Sequence, residues 1–308
     1  MIKSNKYNWL TLTGNYEIKN NSIKFIGEEF EGEDNNRFPL IGNCLSDQYF
    51  DGGKITANIE FKVVDEEIGC DILINYINKN NKLEFTSVGI DKSKYGLFEL
   101  KSYRDGKWEY HQIRGNGNAL HANQKYKLEV EYIGNRVMMK VNGVQVIDYN
   151  LPYNTSRSQV GIWNRSKSII EISDYEVESI KSKVFVVMQF STQFNELYED
   201  VIKPVCQEFG YEVIRADDMY TNGMIISDIA NSIVESKVII ADVTPQNPNV
   251  YYEVGYAHAL QKNTILLAEE GCELPFDIKP FRVVFYKNTI NGKTKVENTL
   301  RSHLNNLL

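Results

Sequence analysis

The stretch that decides the fold is Val238-Ile-Ile-Ala-Asp-Val243, followed by an amphipathic segment over residues 250–261 and by Thr264-Ile-Leu-Leu-Ala268. Short continuous apolar runs joined by a helical segment are typical of parallel strands that are buried on both faces. The same alternation starts earlier, at Val184-Phe-Val-Val-Met188. This part of the chain therefore predicts strands that alternate with helices around a parallel sheet.

The remaining elements of this half follow the same alternation. We predict strands over residues 211–215 and 282–286, and helices over residues 194–209, 227–236 and 296–308. Ser227 is the expected N-cap of its helix. Residues 183–308 are therefore predicted to form an α/β domain, a doubly wound parallel sheet of the flavodoxin or Rossmann type.

Residues 1–180 have a different pattern, made of short runs bounded by turn residues. Ile55-Thr-Ala-Asn-Ile-Glu-Phe-Lys-Val63 alternates apolar and polar side chains, as a half-buried strand does. Asn142-Gly143 starts a tight hairpin between two such runs. With no helical pattern between the runs, this half is predicted to be an all-β sandwich of the jelly-roll or lectin type.

Charge and composition exclude several classes of function. The net charge of -7 and the pI near 5.3 argue against nucleic acid or an anionic membrane as the main partner. The four cysteines form no CxxC pair, which argues against a zinc site or a disulfide framework. No apolar run reaches the length of about 20 residues that a membrane span needs, and the polar start carries no secretory signal. The expected location is the cytoplasm.

The candidate site follows the third strand of the parallel sheet, because ligands bind outside the carboxyl ends of such strands. Asp242 lies at that strand end, and Glu253 is expected in the first turn of the next helix, where the helix dipole would keep it ionised. Gly255 is expected to let that helix approach the sheet closely. A glutamate at a helix start is also ordinary helix chemistry, so the local pattern leaves both interpretations open.

Four segments between residues 184 and 286 together resemble a known protein family. The first strand with its polar end, Asp228-Ile229, Ser236-Lys-Val-Ile-Ile-Ala-Asp-Val-Thr244 and Asn249-Val-Tyr-Tyr-Glu-Val-Gly-Tyr-Ala257 together resemble the nucleoside 2-deoxyribosyltransferase-like family. That family includes nucleotide N-glycosidases and is related to the TIR domains that cleave NAD. The resemblance spans residues 184–286 and implies cleavage of the bond between a ribose or deoxyribose and a base.

The resemblance also implies roles for individual residues. It makes Glu253 the nucleophile and Asp228 the second acid, which handles a sugar hydroxyl or protonates the leaving base. Further substrate-binding residues are expected around them: Gln189, Phe190 and Ser191 after the first strand, Asp217 and Asp218 after the second, and Asp242, Asn249 and Tyr252 near the third. No metal and no cofactor are expected, and NAD would be a substrate.

Two further features bear on the ligands. Family members that act on nucleoside 5′-monophosphates have glycine and arginine in the loop after the first strand, whereas this loop reads Gln189-Phe-Ser-Thr-Gln-Phe194. The resemblance therefore does not favour a nucleoside monophosphate as the substrate, but it is compatible with a dinucleotide such as NAD. Residues 125–178 resemble concanavalin A-like and laminin-G-like sandwiches, which implies a sugar or another ligand for the N-terminal domain. Trp108, Tyr110 and Trp163 could stack on a sugar, or could simply be core residues.

The sequence thus favours an N-glycosidase that the N-terminal sandwich regulates, with an architecture similar to bacterial antiphage defence effectors. A homo-oligomer is expected, because family members often complete the pocket across a subunit interface. Hydrolysis and base exchange both stay open. The alternatives are a nucleotide-binding signalling module without turnover, and a carbohydrate-binding protein in which the α/β part is a scaffold.

Overall fold

The computed structural model describes residues 7–19, 22–31, 37–79, 82–153, 155–216, 225–244 and 246–306. It divides into two compact units. The first comprises Met1–Tyr132, Val137–Tyr149 and Arg157–Ile180, and the second comprises Ile133–Arg136, Asn150–Ser156 and Lys181–Leu308. The second unit is therefore discontinuous in sequence.

The first unit is built from antiparallel strands. In the described residues they are β1 (Trp9–Thr13), β2 (Tyr16–Lys19), β3 (Ser22–Phe25), β4 (Glu29–Glu31), β5 (Arg37–Phe50), β6 (Gly53–Phe61), β7 (Ile68–Lys79), β8 (Lys82–Lys92), β9 (Phe98–Arg104), β10 (Lys107–Arg114), β11 (Lys125–Ile133), β12 (Arg136–Val141), β13 (Val144–Asn150), β14 (Ser158–Ser166) and β15 (Ile170–Ser179). A short 3₁₀ turn, Gly117–Ala119, precedes β11.

These strands form two sheets. One has eight strands in the order β1-β5-β14-β7-β8-β9-β10, with β4 also paired to β5, and the other has seven in the order β13-β12-β11-β6-β15-β3-β2. Side chains alternate between buried and half-buried along β6, so that Ile55, Ala57, Ile59 and Phe61 enter the core. The predicted antiparallel sandwich is confirmed.

The eight-stranded sheet also buries a network of charges. The Lys101 ammonium contacts the carboxylates of Asp71 (3.2 Å), Glu99 (3.2 Å) and Asp91, and lies 4.4 Å from the centre of the Trp163 ring. All five side chains are buried. Because buried charges are costly unless they are paired, this network needs each of its members.

Trp163 and Trp108 contact each other edge to face within the first unit, with ring centres 5.7 Å apart. Trp163 is buried, Trp108 is half-buried and Tyr110 is exposed. The two tryptophans are thus packing residues in this structure, whereas the Tyr110 ring is open to solvent.

The second unit contains the predicted alternation. Its elements are β16 (Lys183–Val187), α1 (Thr192–Leu197), a π-helical turn (Tyr198–Ile202), α2 (Lys203–Glu208), β17 (Glu212–Arg215), α3 (Ile225–Glu235), β18 (Val238–Asp242), α4 (Pro248–Ala259), β19 (Asn263–Glu269), β20 (Val283–Tyr286) and α5 (Ile290–Asn305). The strands are parallel and lie in the order β17-β16-β18-β19-β20. A parallel sheet with helices is thus present near the C-terminus, as predicted.

Helices cover both faces of this sheet. Val184 and Ile240 belong to a core that also contains residues of α1, α2 and α5. Phe185 and Ile239, one position along in each strand, belong to a second core with residues of α3 and α4. Continuous apolar strands are the sequence counterpart of this arrangement, because both faces are buried.

Polar groups are also buried in the second unit. The Lys262 ammonium donates to the side-chain oxygen of Asn135 (2.7 Å) and to the carbonyl oxygens of Val234 (2.6 Å) and Ser236 (3.1 Å). The amide of Asn135 donates to the carbonyl oxygen of Leu260 (3.1 Å). These bonds join elements of the unit that are far apart in sequence.

Several predicted details are wrong. Helix α3 begins at Ile225, so Ser227 lies inside it and is not its N-cap. Helix α5 begins at Ile290, earlier than predicted, because Thr289 caps it by accepting a hydrogen bond from the Gly292 amide (3.2 Å). Gly255 is exposed on α4, and a Cβ atom there would meet nothing within 4 Å. It therefore does not mediate a close approach to the sheet.

Across the described ranges, no helix combines the length and the apolar character that crossing a bilayer requires.

Candidate functional site

A cavity of about 800 Å³ lies at the carboxyl end of the parallel sheet, on the face that α3 and α4 cover. It is lined by Val186, Met188, Gln189, Phe190, Ala216, Ile226, Ile229, Ala230, Ile233, Asn247, Asn249, Val250, Tyr252, Glu253 and Tyr256. Chain order reverses here, because β16 lies between β17 and β18. Such a switch point is where open parallel sheets bind ligands.

Among the described residues that line this cavity, Glu253 is the one with a carboxylate side chain. Its side chain is half-buried, and none of the described residues forms a hydrogen bond or an ion pair with its carboxylate. Burial raises the pKa of Glu253 to about 7. An ionisable group in a cleft, with a pKa near neutrality, is a candidate for binding or proton transfer.

The expected electrostatic setting of Glu253 is wrong. Helix α4 begins at Pro248, with Asn247 as its cap (the Asn249 amide donates to the Asn247 side-chain oxygen, 2.9 Å), so Glu253 lies beyond the first turn. The helix dipole acts mainly within the first turn. Burial, which favours the neutral carboxyl, therefore dominates at this position.

The structure brings several of the predicted site residues together. Gln189, Phe190, Asn249, Tyr252 and Glu253 all line the cavity. Phe190 and Tyr252 are large rings that are 53% and 67% exposed. Two exposed aromatic rings and the side-chain amides of Gln189 and Asn249 suit a planar ligand with polar edges.

Other predicted residues lie outside this lining. Ser191 is the N-cap residue of α1, where its side chain makes no capping bond. Asp228 lies on α3, half-buried and engaged in contacts of its own, but it is not among the residues that line the cavity. Asp217 and Asp218 lie outside the described residues. For these four residues, a role in the site stays a prediction.

Asp242 is placed on the opposite face of the sheet. It ends β18 and is 1% exposed. The Tyr286 hydroxyl donates to one of its carboxylate oxygens (2.6 Å), and the Thr244 amide donates to the other (2.9 Å). Tyr286 belongs to the core under α1, α2 and α5, whereas the helix of Glu253 packs on the other core. The structure therefore does not bring Asp242 and Glu253 together.

Burial also raises the pKa of Asp242 to about 7, although the hydrogen bonds from Tyr286 and Thr244 act in the opposite direction. Tyr286 has a raised pKa because of burial and the adjacent carboxylate, so it stays a hydroxyl donor. These bonds fix the end of β18 and the start of the following loop. Asp242 therefore has structural contacts at the end of β18, on the face of the sheet opposite the cavity.

The predicted site lacked the apolar wall that α3 contributes through Ile226, Ile229 and Ile233. Their spacing of three and four residues along the helix was a visible signal. The predicted site also lacked Arg215, the last residue of β17, whose guanidinium lies 5.5 Å from the centre of the Phe190 ring. A cation at the end of a predicted strand, next to the expected ligand crevice, was the available signal for Arg215.

Within the described part of the chain, no group of three or more His, Cys, Asp or Glu side chains is placed to hold a metal ion.

The chain is weakly similar to several solved structures, but no protein-family model and no curated protein matches it. Among solved structures, the carbohydrate binding module CBM66 from Bacillus subtilis matches with a TM-score of 0.44 and 16% identity, over 54% of this chain and 92% of its own. The Bacillus licheniformis beta-glucanase matches with a TM-score of 0.37 and 12% identity, over 56% of this chain and 92% of its own.

The Caenorhabditis elegans galectin LEC-6 matches with a TM-score of 0.30 and 14% identity, over 49% of this chain and 95% of its own. At these scores and identities, the likenesses carry no argument about what this chain binds. Each covers about half of the chain, and none of the three bears on the parallel sheet. The resemblance of the second unit to the deoxyribosyltransferase-like family therefore stays a prediction.

Proposed function

We propose that the second unit is an N-glycosidase that cleaves or exchanges the base of a nucleoside, a nucleotide or NAD, with Glu253 as the nucleophile. The observation that carries the proposal is the Glu253 carboxyl, which lies in a cavity of about 800 Å³ at the switch point of the sheet and has no hydrogen-bond or ion-pair partner among the described residues. The resemblance of residues 184–286 supplies the reaction class.

The chemistry requires a carboxylate next to the anomeric carbon. As the C1′–N bond breaks, the sugar gains oxocarbenium character, which a neighbouring carboxylate stabilises and can trap as a C1′–O bond to Glu253. The base leaves with the bonding electron pair: adenine or uracil takes up a proton to leave neutral, whereas the nicotinamide of NAD, which is cationic in the substrate, leaves neutral without one. Water or a second base then attacks C1′ and releases Glu253, giving hydrolysis or exchange.

The surrounding side chains fit the two halves of such a substrate. Phe190 and Tyr252 offer rings against which a base can stack, and Gln189 and Asn249 offer amides for its polar edges or for the sugar. Asp228 keeps the proposed role of the second acid, which protonates the base or holds a sugar hydroxyl. Neither a metal nor a cofactor takes part in this scheme.

The raised pKa of Glu253 sets a pH dependence for the reaction. A nucleophile must be ionised, and burial makes the carboxylate the dominant form only above about pH 7. We therefore expect the rate of base release to rise as the pH increases from 6 to 8. A rate that falls over this range would assign Glu253 to general-acid catalysis instead.

The first unit is proposed to regulate the second, as in a defence effector, with a sugar or another ligand as its signal. The expected homo-oligomer and the cytoplasmic location belong to the same proposal. Mass measurement of the full chain with and without NAD would test the oligomer, and a dependence of activity on oligomeric state would support regulation by assembly.

The test of the activity is base release. The full chain and its Glu253→Gln variant are incubated with NAD, adenosine, uridine and their deoxy and monophosphate forms, and the products are separated by chromatography. Glu196→Gln is the matched control, because Glu196 is also helical but is exposed and does not line the cavity. We expect free base from the wild type and from the control, and none from Glu253→Gln. Base release that survives Glu253→Gln would refute the role of Glu253.

One observation favours a second candidate function, a nucleotide-binding signalling module. Below about pH 7 the Glu253 carboxyl is neutral and can donate a hydrogen bond to a base, which suits binding without turnover. A ligand-induced rise in melting temperature without base release at any pH would favour this module.

A further inference from the structure

Arg215 occupies an unusual place for a cation, at the carboxyl end of β17 and only 4% exposed. Its guanidinium lies 4.2 Å from the centre of the Tyr198 ring and 5.5 Å from the centre of the Phe190 ring. One of its terminal nitrogens is 3.9 Å from the Met188 sulfur. Of the side chains that the guanidinium contacts in the described part of the chain, Met188 and Phe190 line the cavity.

Arg215 is itself held firmly. Its backbone pairs with Val186 of the neighbouring strand, and Tyr198 is fully buried in the π-helical turn. A planar guanidinium stacks on an aromatic face in a way that the ammonium of lysine does not reproduce. The contact with Tyr198 thus gives the guanidinium a fixed orientation before any ligand arrives.

Phe190 is a wall residue that no helix or strand holds in place. It lies between β16 and α1, outside any helix or strand, and its ring is 53% exposed. The ring lines the cavity, whereas Arg215, with which it is in contact, does not. The contact with Arg215 therefore restrains the ring where it faces the cavity.

We propose that Arg215 is a positioning residue that holds the Phe190 ring as the wall on which the planar ring of the ligand stacks. The identity of that ring as a base rests on the proposed function, but the restraint on Phe190 does not. An ordered ring binds a planar ligand better, because less side-chain entropy is lost on binding.

The restraint can be tested without any ligand. The full chain is prepared with 4-fluorophenylalanine at position 190, and its ¹⁹F NMR spectrum is recorded for the wild type and for Arg215→Lys. We expect a shifted and broadened resonance in the variant, because the stacked guanidinium is lost. Arg157→Lys is the matched control, since Arg157 lies 5.6 Å from the centre of the Tyr49 ring in the first unit. An unchanged resonance in Arg215→Lys would overturn the proposal.

The ligand part is tested by a double-mutant cycle on binding. Affinities for adenosine, uridine and NAD are measured in the Glu253→Gln background, so that turnover does not interfere. We expect Arg215→Lys to weaken binding about 3- to 5-fold, a loss of the size of the one cation–π contact that restrains the Phe190 ring. In a protein that already carries Phe190→Leu, Arg215→Lys should not weaken binding any further. Phe190→Tyr keeps an aromatic ring at this position and should therefore bind the probes about as well as Phe190 does.

The outcomes separate this inference from the proposed function. Additive losses in the cycle, or binding that does not change in Arg215→Lys, would show that Arg215 does not act through Phe190 and would overturn the inference. A lack of affinity for all three probes would overturn its ligand part. If the cycle shows coupling but the wild type releases no base, the positioning role stands and the N-glycosidase proposal fails. If turnover is present, the coupled loss should appear in KM and not in kcat.

Discussion

Replacing Glu253 by glutamine should make the second unit more stable at pH 8 but not at pH 5. The reason is the burial of Glu253, which raises its pKa from 4.5 to about 7. Its neutral form is therefore compatible with the folded state, whereas its charged form is penalised there. Below about pH 4.5 the Glu253 carboxyl is protonated in both the folded and the unfolded protein, so its burial does not reduce the free energy of unfolding. As the pH rises, the carboxyl ionises first in the unfolded protein and then, near pH 7, in the folded protein, and the free energy of unfolding falls.

The size of the effect follows from the same shift. If the whole pKa shift of Glu253 were expressed in the free energy of unfolding, it would amount to at most about 3 kcal/mol. Because the side chain is only half-buried, solvent screening reduces this to about 1–2 kcal/mol at pH 8. The glutamine side chain has nearly the same shape as the protonated glutamate, so the two proteins should have nearly equal stability at pH 5.

The two units can be followed separately in one sample. Helices α1 to α5 all belong to the second unit, so ellipticity at 222 nm reports on its unfolding. The three tryptophans, Trp9, Trp108 and Trp163, all belong to the first unit, so their fluorescence reports on the sandwich. Urea unfolding at pH 5, 6, 7 and 8 should give curves at 222 nm that diverge only as the pH rises, and fluorescence curves that coincide.

Glu196→Gln is again the control, because an exposed carboxylate has little desolvation penalty to remove. A Glu253→Gln variant that is equally stabilised at pH 5 and pH 8 would refute the reasoning. So would a variant that is less stable than the wild type at pH 8, since this would mean that the carboxylate has a stabilising partner.

Three further substitutions test the packing around the site and in the sandwich. Tyr286→Phe removes the hydroxyl that donates to the buried Asp242 carboxylate, and should cost about 1–3 kcal/mol in the unfolding curve at 222 nm; an unchanged curve would contradict this hydrogen bond. Gly255→Ala should stabilise the second unit by about 0.5–1 kcal/mol, because the position is helical and open; a lower melting temperature would show that its surface is covered. Lys101→Met leaves the buried carboxylates of Asp71 and Glu99 without their cation, whereas Asp91 keeps its ion pair with Arg165; the change should cost about 3–5 kcal/mol in the fluorescence curve, and a loss below 1 kcal/mol would mean that Asp71 and Glu99 are neutral.

Periodicity in the sequence was sufficient to predict both kinds of sheet. The alternating run from Ile55 to Val63 lies in a half-buried strand as far as Phe61, and the continuous run from Val238 to Val243 lies in a strand that is covered on both faces as far as Asp242. Helix starts were harder to predict. Thr289 and Asn247 both cap helices, but the polar residues that follow Thr289 resemble a turn when only local composition is considered.

The site was predictable in location but not in all its members. Alternation along β18 places Asp242 on the same side as Ile240, but it does not say which side the following helix covers. That choice depends on the crossover from β18 to β19, a property of the whole sheet. The contact between Arg215 and Phe190 was likewise beyond local patterns, because it joins the last residue of β17 to the segment that follows the adjacent strand β16.

The discontinuity of the second unit determines how the chain can be divided in the laboratory. A fragment that starts at Lys181 would lack Ile133–Arg136 and Asn150–Ser156, which belong to the same compact unit. It would leave the buried Lys262 ammonium without Asn135, one of its three oxygen acceptors. During synthesis these two segments also leave the ribosome before the rest of the second unit, so they can make their contacts with it only after residues 181–308 have been synthesised. The boundary visible in the sequence is therefore a poor place to cut, because a piece that keeps the second unit whole must start no later than Ile133 and so carries part of the sandwich with it.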